Sequence, residues 1–125
     1  MDGLKVLLID DEEELVTTLA ERLEWRGFSV HWATNGADAI QKLKISPYEI
    51  ILLDLKMPGL GGLDLLKIIK RDYPDLPVII LTGHGSLDGG KPEVPEGVAA
   101  YLAKPINLDD LIARMKEAVE REHHA

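Results

Sequence analysis

Short apolar runs, each ended by a polar residue, punctuate this chain. Leu4-Lys5-Val6-Leu7-Leu8-Ile9 runs into Asp10-Asp11-Glu12, and Tyr48-Glu49-Ile50-Ile51-Leu52-Leu53 runs into Asp54. Leu76-Pro77-Val78-Ile79-Ile80-Leu81 closes on Thr82, and Ala100-Tyr101-Leu102-Ala103 leads into Lys104-Pro105. Unbroken apolar runs of this length are the mark of strands buried on both faces of a parallel sheet. Phe28-Ser29-Val30-His31-Trp32 instead alternates apolar and polar, which predicts a more exposed strand near the sheet edge.

Between these strands the apolar period changes to that of a helix. Leu15, Val16, Leu19, Ala20 and Leu23 predict a helix to about Arg26, with Gly27 as its stop. Asn35-Gly36 turns the chain into a second helix with Ala39, Ile40 and Leu43 inward, ended by Ser46-Pro47. A third runs from Gly62 to about Tyr73, with Leu63, Leu66, Ile69 and Ile68 expected inward. The last starts at Asn107, with Asp110 three residues on, and buries Leu108, Leu111, Ile112, Met115 and Val119. Strand and helix alternate, so the expected fold is α/β: a doubly wound, five-stranded parallel sheet with helices on both faces.

One helical slot reads differently. From Leu87 to Ala100 the period is broken by Gly89, Gly90, Pro92, Pro95 and Gly97. Inside a helix, Gly89, Gly90, Pro92 and Pro95 would together cost roughly 8 kcal/mol relative to alanine. A domain is stable by only about 5–15 kcal/mol. The fourth helix is therefore expected to be irregular or absent.

Composition narrows the function classes. The chain has 125 residues, 46% hydrophobic and 29% charged, which suits one globular domain over residues 1–125. Fourteen Lys and Arg against 22 Asp and Glu leave a net charge of -8, which argues against gripping nucleic acid by bulk charge. The absence of cysteine excludes thiol catalysis and thiolate metal sites. No apolar run approaches the roughly 20 residues that span a bilayer, so a cytoplasmic location and no membrane partner are expected.

The candidate chemistry lies at the strand ends. Open α/β sheets bind ligands at the carboxyl edge of their strands. There the chain delivers Asp10 and Asp11, Asp54, Thr82 and Lys104. Taken singly, each has a plain structural reading: helix-start acids, a loop cap, a turn hydroxyl, a solvated lysine stem. Adjacent strands lie about 4.8 Å apart, however, so these side chains can converge. Three carboxylates so close repel unless a cation intervenes, and hard oxygen ligands suit Mg²⁺. Lys104 and the Thr82 hydroxyl supply the charge and donor that a transferring phosphoryl group needs. Asp54 then reads as a nucleophile of the aspartyl-phosphate kind.

These motifs resemble the receiver domains of two-component response regulators. The resemblance runs from Val6 to about Val119 and rests on Leu8-Ile9-Asp10-Asp11-Glu12, Leu53-Asp54-Leu55-Lys56-Met57-Pro58-Gly59, Leu81-Thr82-Gly83-His84 and Tyr101-Leu102-Ala103-Lys104-Pro105. It implies a flavodoxin-like sheet of order 2-1-3-4-5. It also implies a phosphoryl group accepted on Asp54 from a sensor histidine kinase or a histidine phosphotransfer protein. Mg²⁺ would be held by Asp10, Asp11, Asp54 and the Lys56 main-chain carbonyl. Thr82 and Lys104 would contact the phosphoryl oxygens, and Tyr101 would switch rotamer with Thr82. Lys56 and His84 would flank the site and modulate hydrolysis, and the Lys104-Pro105 bond would be cis. Such a domain catalyses its own phosphorylation and slow dephosphorylation without being a turnover enzyme, and signals to an output domain or a downstream protein.

Two other readings fit part of the pattern. A haloacid-dehalogenase-like phosphatase also uses an aspartyl nucleophile with Mg²⁺, but needs a second Asp where this chain has Lys56. A pseudo-receiver keeps the fold as a binding module without the chemistry, and the intact set Asp10, Asp11, Asp54, Thr82 and Lys104 argues against it.

Overall fold

The computed structural model describes residues 3–56, 61–83 and 97–124. Its elements run β1 (Lys5–Ile9), α1 (Glu13–Trp25), β2 (Ser29–Ala33), α2 (Gly36–Ile45), β3 (Ile50–Asp54), α3 (Gly62–Asp72), β4 (Val78–Thr82), β5 (Ala100–Ala103) and α4 (Leu108–His124). All five strands are parallel, in the order β2-β1-β3-β4-β5, as expected for the doubly wound flavodoxin-like fold. The expectation of an irregular or absent helix within Leu87 to Ala100 falls largely on residues outside those described.

The apolar runs form the centre of the sheet because both of their faces are covered. Every residue of β3 and β4 is buried. Val6, Leu8, Ile50, Leu52, Ile79 and Leu81 face one core with Val16, Leu23, Leu111 and Met115. Leu7, Ile9, Ile51, Leu53, Val78 and Ile80 face the other with Ala39, Leu65, Leu66 and Ile69. Each fully buried Leu or Ile contributes about 1.5–3 kcal/mol. A polar residue inside either run would therefore be expelled, and the first polar residue of each marks where its strand leaves the core. The alternating β2 lies at the sheet edge with Ser29 and His31 exposed.

Local signals set the helix ends. Asn35 Oδ1 accepts the Asp38 N–H at 2.8 Å, and Asn107 Oδ1 accepts the Asp110 N–H at 2.9 Å. Both are side-chain N-caps of the kind worth about 1 kcal/mol. Gly27, at φ 97°, closes α1 in the left-handed region that only glycine enters freely. The Lys104-Pro105 bond is cis, as the resemblance implied.

Two expectations need correction. The inward face of α3 is Gly62, Leu65, Leu66 and Ile69, while Leu63 is half exposed. The helix is phased by Gly62, whose backbone packs on Leu55, and Leu63 is thereby turned outward. The last helix, expected over 107–119, continues to His124.

Candidate functional site

The carboxyl edge of the sheet gathers the polar residues that end β1, β3 and β4. Asp10, Asp54 and Thr82 are the buried polar side chains among the described residues, each no more than 3% exposed. Asp10 follows β1, and its backbone N–H donates to the Ala33 carbonyl at 3.1 Å. Its Oδ1 accepts the Glu12 N–H at 3.0 Å and its Oδ2 accepts from Lys104 Nζ at 2.7 Å. Asp54 Oδ1 accepts the Lys56 N–H at 3.1 Å, and Asp54 Oδ2 lies 3.6 Å from Lys104 Nζ. Lys104 reaches in because its backbone N–H is fixed to the Thr82 carbonyl at 2.7 Å. Its side chain is only 11% exposed.

Asp11 is exposed, yet one of its oxygens lies with oxygens of Asp10 and Asp54 in a group all within 4.8 Å of one another. Three hard carboxylate donors at that spacing fit a small divalent cation that keeps part of its water shell. Without such an ion the cluster is under electrostatic strain. Burial pushes the Asp54 carboxyl up to about 6, the Lys56 N–H opposes this, and the neighbouring Asp10 adds to it. For Lys104, burial acts to lower the pKa, but the Asp10 hydrogen bond and the Asp10 and Asp54 charges prevail and raise it.

Thr82 carries an independent mark of function. Its Oγ1 is buried and, among the described residues, has no hydrogen-bond partner. Leaving a buried hydroxyl unpaired costs about 1–3 kcal/mol, so such atoms call for an explanation. An oxygen-rich ligand in the crevice would supply one. Tyr101 pairs with Ile80 and Thr82 with Ala103, so alternation puts Tyr101 and Thr82 on one face of the sheet, two positions apart. Tyr101 is half-buried against the core of that face.

The Lys56 side chain is exposed beside the crevice, and His84 lies outside the described residues. A groove lined by Leu43, Tyr48, Tyr73, Leu76 and Pro77 lies at the opposite edge of the sheet, where β3 and β4 begin.

Two contributors escape a reading of the sequence alone. Glu12 reads as one more helix-start acid, but its Oε1 lies 3.3 Å from Lys104 Nζ. Gly62 reads as a helix start, but a Cβ there would meet Leu55 Cα and sit 2.6 Å from the Asp54 and Leu55 carbonyl oxygens. The signal for Glu12 was its place just before the helix, where Glu is a poor cap.

Comparison with known proteins bears on this arrangement. Residues 6–116 match the response regulator receiver domain family. The chain belongs to that family. The receiver is 37% identical over 122 residues to a putative response regulator NtrX-like of Rickettsia felis, covering 96% of this chain and 26% of that protein. It thus spans about a quarter of the length of the NtrX-like and NtrC relatives it matches, and little more than half of two other transcriptional regulators. Among solved structures it superposes on a response regulator receiver domain protein from Clostridium thermocellum with a TM-score of 0.85, at 35% identity, covering 95% of this chain and 96% of that one. It also superposes on the response regulator TrrA of Thermotoga maritima, solved in complex with Mg²⁺ and BeF, with a TM-score of 0.81 at 28% identity. That match covers 94% of this chain and 99% of TrrA. No helix among the described residues is long and apolar enough to cross a membrane.

The raised Asp54 pKa makes a prediction for the metal-free receiver. In the unfolded chain this carboxyl titrates near 3.8, and in the native state at about 6. Between those values the native state binds more protons, so this group's contribution to stability falls as pH rises. The thermal midpoint of Asp54→Asn should therefore exceed that of wild type in EDTA by a margin that opens from about pH 4 to about pH 7. Unfolding curves across that range check this. A margin independent of pH would mean that Asp54 titrates normally.

Proposed function

We propose that this receiver accepts a phosphoryl group on the Asp54 carboxylate from a phosphohistidine of a sensor histidine kinase or a histidine phosphotransfer protein. The observation that carries this reading is the pairing of a buried Asp54 with the Lys104 ammonium and a Thr82 hydroxyl that has no partner among the described residues, at one strand edge. An Asp54 oxygen attacks phosphorus, the P–N bond to the imidazole breaks, and the imidazole leaves with the bonding electron pair. Lys104 moves from Asp10 and Asp54 toward the phosphoryl oxygens, and the Thr82 hydroxyl donates to another. Both act as preorganised charge and dipole on the oxygens where negative charge is spread.

Asp10, Asp11, Asp54 and the Lys56 carbonyl would hold Mg²⁺, which supplies the remaining positive charge for those oxygens. Thr82, drawn to the phosphoryl group, and Tyr101 on the same face of the sheet would form the switch that alters the surface near β5. Lys56, and His84 by its position in the sequence, would set how readily water reaches phosphorus. The reading places the domain in the cytoplasm, where its donor kinase presents the phosphohistidine, and leaves DNA or other output binding to a further domain or protein.

The test is incubation with acetyl phosphate and Mg²⁺, read by intact mass. Wild type should gain one phosphoryl group and lose it slowly. Asp54→Asn should gain none, and Asp11→Asn should be labelled far more slowly. Equal labelling of wild type and Asp54→Asn would move the acceptor elsewhere. No labelling of wild type would favour a binding module without phosphotransfer.

A further inference from the structure

Glu12 occupies the N-cap position of α1, at φ -84° and ψ 96°, yet its side chain makes no capping hydrogen bond. Ser, Thr, Asp and Asn serve that position best. The Glu12 backbone is instead pinned by Asp10 Oδ1, and its carboxylate points back across the crevice to Lys104, 92 residues away in sequence. The Lys104 ammonium is thus shared among three carboxylates: Asp10 at 2.7 Å, Glu12 at 3.3 Å and Asp54 at 3.6 Å. Asp10 and Asp54 are buried and are needed for the acidic cluster, whereas the Glu12 side chain is 62% exposed and belongs to neither the cluster nor the core.

We propose that Glu12 is a positioning residue that holds Lys104 on the acidic side of the crevice and so weakens the site for phosphoryl groups. This rests on the phosphoacceptor reading of Asp54 and deepens it. For Lys104 to meet a phosphoryl oxygen, its ammonium must leave carboxylates that compete for it. When the Asp10 and Asp54 oxygens are engaged by the ligand complex, Glu12 remains as the competitor within reach. The cost of detaching Lys104 from Glu12 falls on ligand binding and leaves the reacting atoms untouched. Glu12 would then tune how much phosphodonor the receiver requires.

Two variants separate reach from charge. Glu12→Gln keeps the length and removes the charge, while Glu12→Asp keeps the charge and shortens the arm by one methylene. The probe is Mg²⁺ with beryllofluoride, a phosphoryl mimic that binds without turnover, titrated against each protein by amide NMR shifts. Initial rates of labelling by acetyl phosphate provide a second readout. Both variants should bind the mimic roughly two- to five-fold more tightly than wild type, the scale of a partly exposed ion pair. Both should also be labelled faster by a similar factor.

A gain in Glu12→Gln with Glu12→Asp unchanged would replace the proposal by simple charge repulsion. Unchanged or weaker binding in both would overturn it, the latter meaning that Glu12 presents Lys104 to the ligand. Failure of wild type itself to bind the mimic would sink the phosphoacceptor reading and this inference with it, whereas normal wild-type binding isolates Glu12.

Discussion

Gly62→Ala should destabilise the receiver by about 3 kcal/mol, the upper end of ordinary overpacking costs, and slow phosphorylation at Asp54. The atoms nearest the new methyl group would all be backbone: Leu55 Cα and the carbonyl oxygens of Asp54 and Leu55, each oxygen at 2.6 Å. A flexible side chain could swing aside, but here the first turn of α3 must lift off the end of β3. That end carries the proposed acceptor carboxylate, and the Gly62 N–H also donates to the Leu55 carbonyl at 3.2 Å. Stability and geometry at Asp54 should therefore fail together.

The neighbouring glycine supplies the control. Among the described residues a Cβ at Gly61 would have nothing within 4 Å, and its φ of -66° suits any residue. Gly61 is the N-cap of α3, where Ala serves less well than Gly, so Gly61→Ala should cost no more than about 1 kcal/mol. Urea unfolding of the two variants side by side measures the contrast. Equal stabilities would mean that the helix start yields easily.

Lys104→Met should cost about 3 kcal/mol in the metal-free protein, and Mg²⁺ should restore most of it. Asp10 is fully buried, and the lysine ammonium at 2.7 Å is its cationic partner. Removing one partner of a buried pair costs about 3–5 kcal/mol because the other charge is left uncompensated. The lower end applies here, since Asp11 and Glu12 open the crevice to water on one side. A divalent ion bound in the same cluster would supply the missing charge and stabilise the native state by mass action. It would also meet no competing ammonium at Asp10. The midpoint of Lys104→Met should therefore fall by roughly 10 °C in EDTA. It should rise on adding Mg²⁺ by more than wild type does. Equal Mg²⁺ responses in the two proteins would show that lysine and cation occupy separate places.

Much of this architecture is legible in the sequence because burial and position coincide in a parallel sheet. The runs at Val6–Ile9, Ile50–Leu53 and Val78–Leu81 are apolar throughout since both faces are covered, so the polar residue ending each one also marks the ligand-binding edge. That is why Asp10, Asp54 and Thr82 could be assembled before any distance was known. Periodicity was weaker for α3, where Leu63 and Leu65 both fit an apolar stripe. The choice was made by contact of Gly62 with Asp54 at the end of β3 and with Leu55 just beyond it, which no local pattern records. Glu12 escaped for a related reason. Its acidic neighbours Glu13 and Glu14 are plain first-turn residues, and only the reach of Lys104 from the far end of the chain sets Glu12 apart. The helix expected to be broken between Leu87 and Ala100 lies mainly outside the described residues and stays an expectation.

The unpartnered Thr82 hydroxyl has a consequence for anyone who engineers this domain. Among the described residues it is a fault: a buried donor with nothing to bond, worth about 1–3 kcal/mol against the fold. Thr82→Val would remove the fault while keeping the branched shape that β4 packs. A laboratory selection for heat resistance, run on the unliganded domain, would reward that change. Under the proposed chemistry it would at the same time discard a donor that the phosphoryl group requires. Ruggedness and responsiveness therefore pull in opposite directions at this position, and a thermostabilised receiver should be screened for signalling before it is trusted.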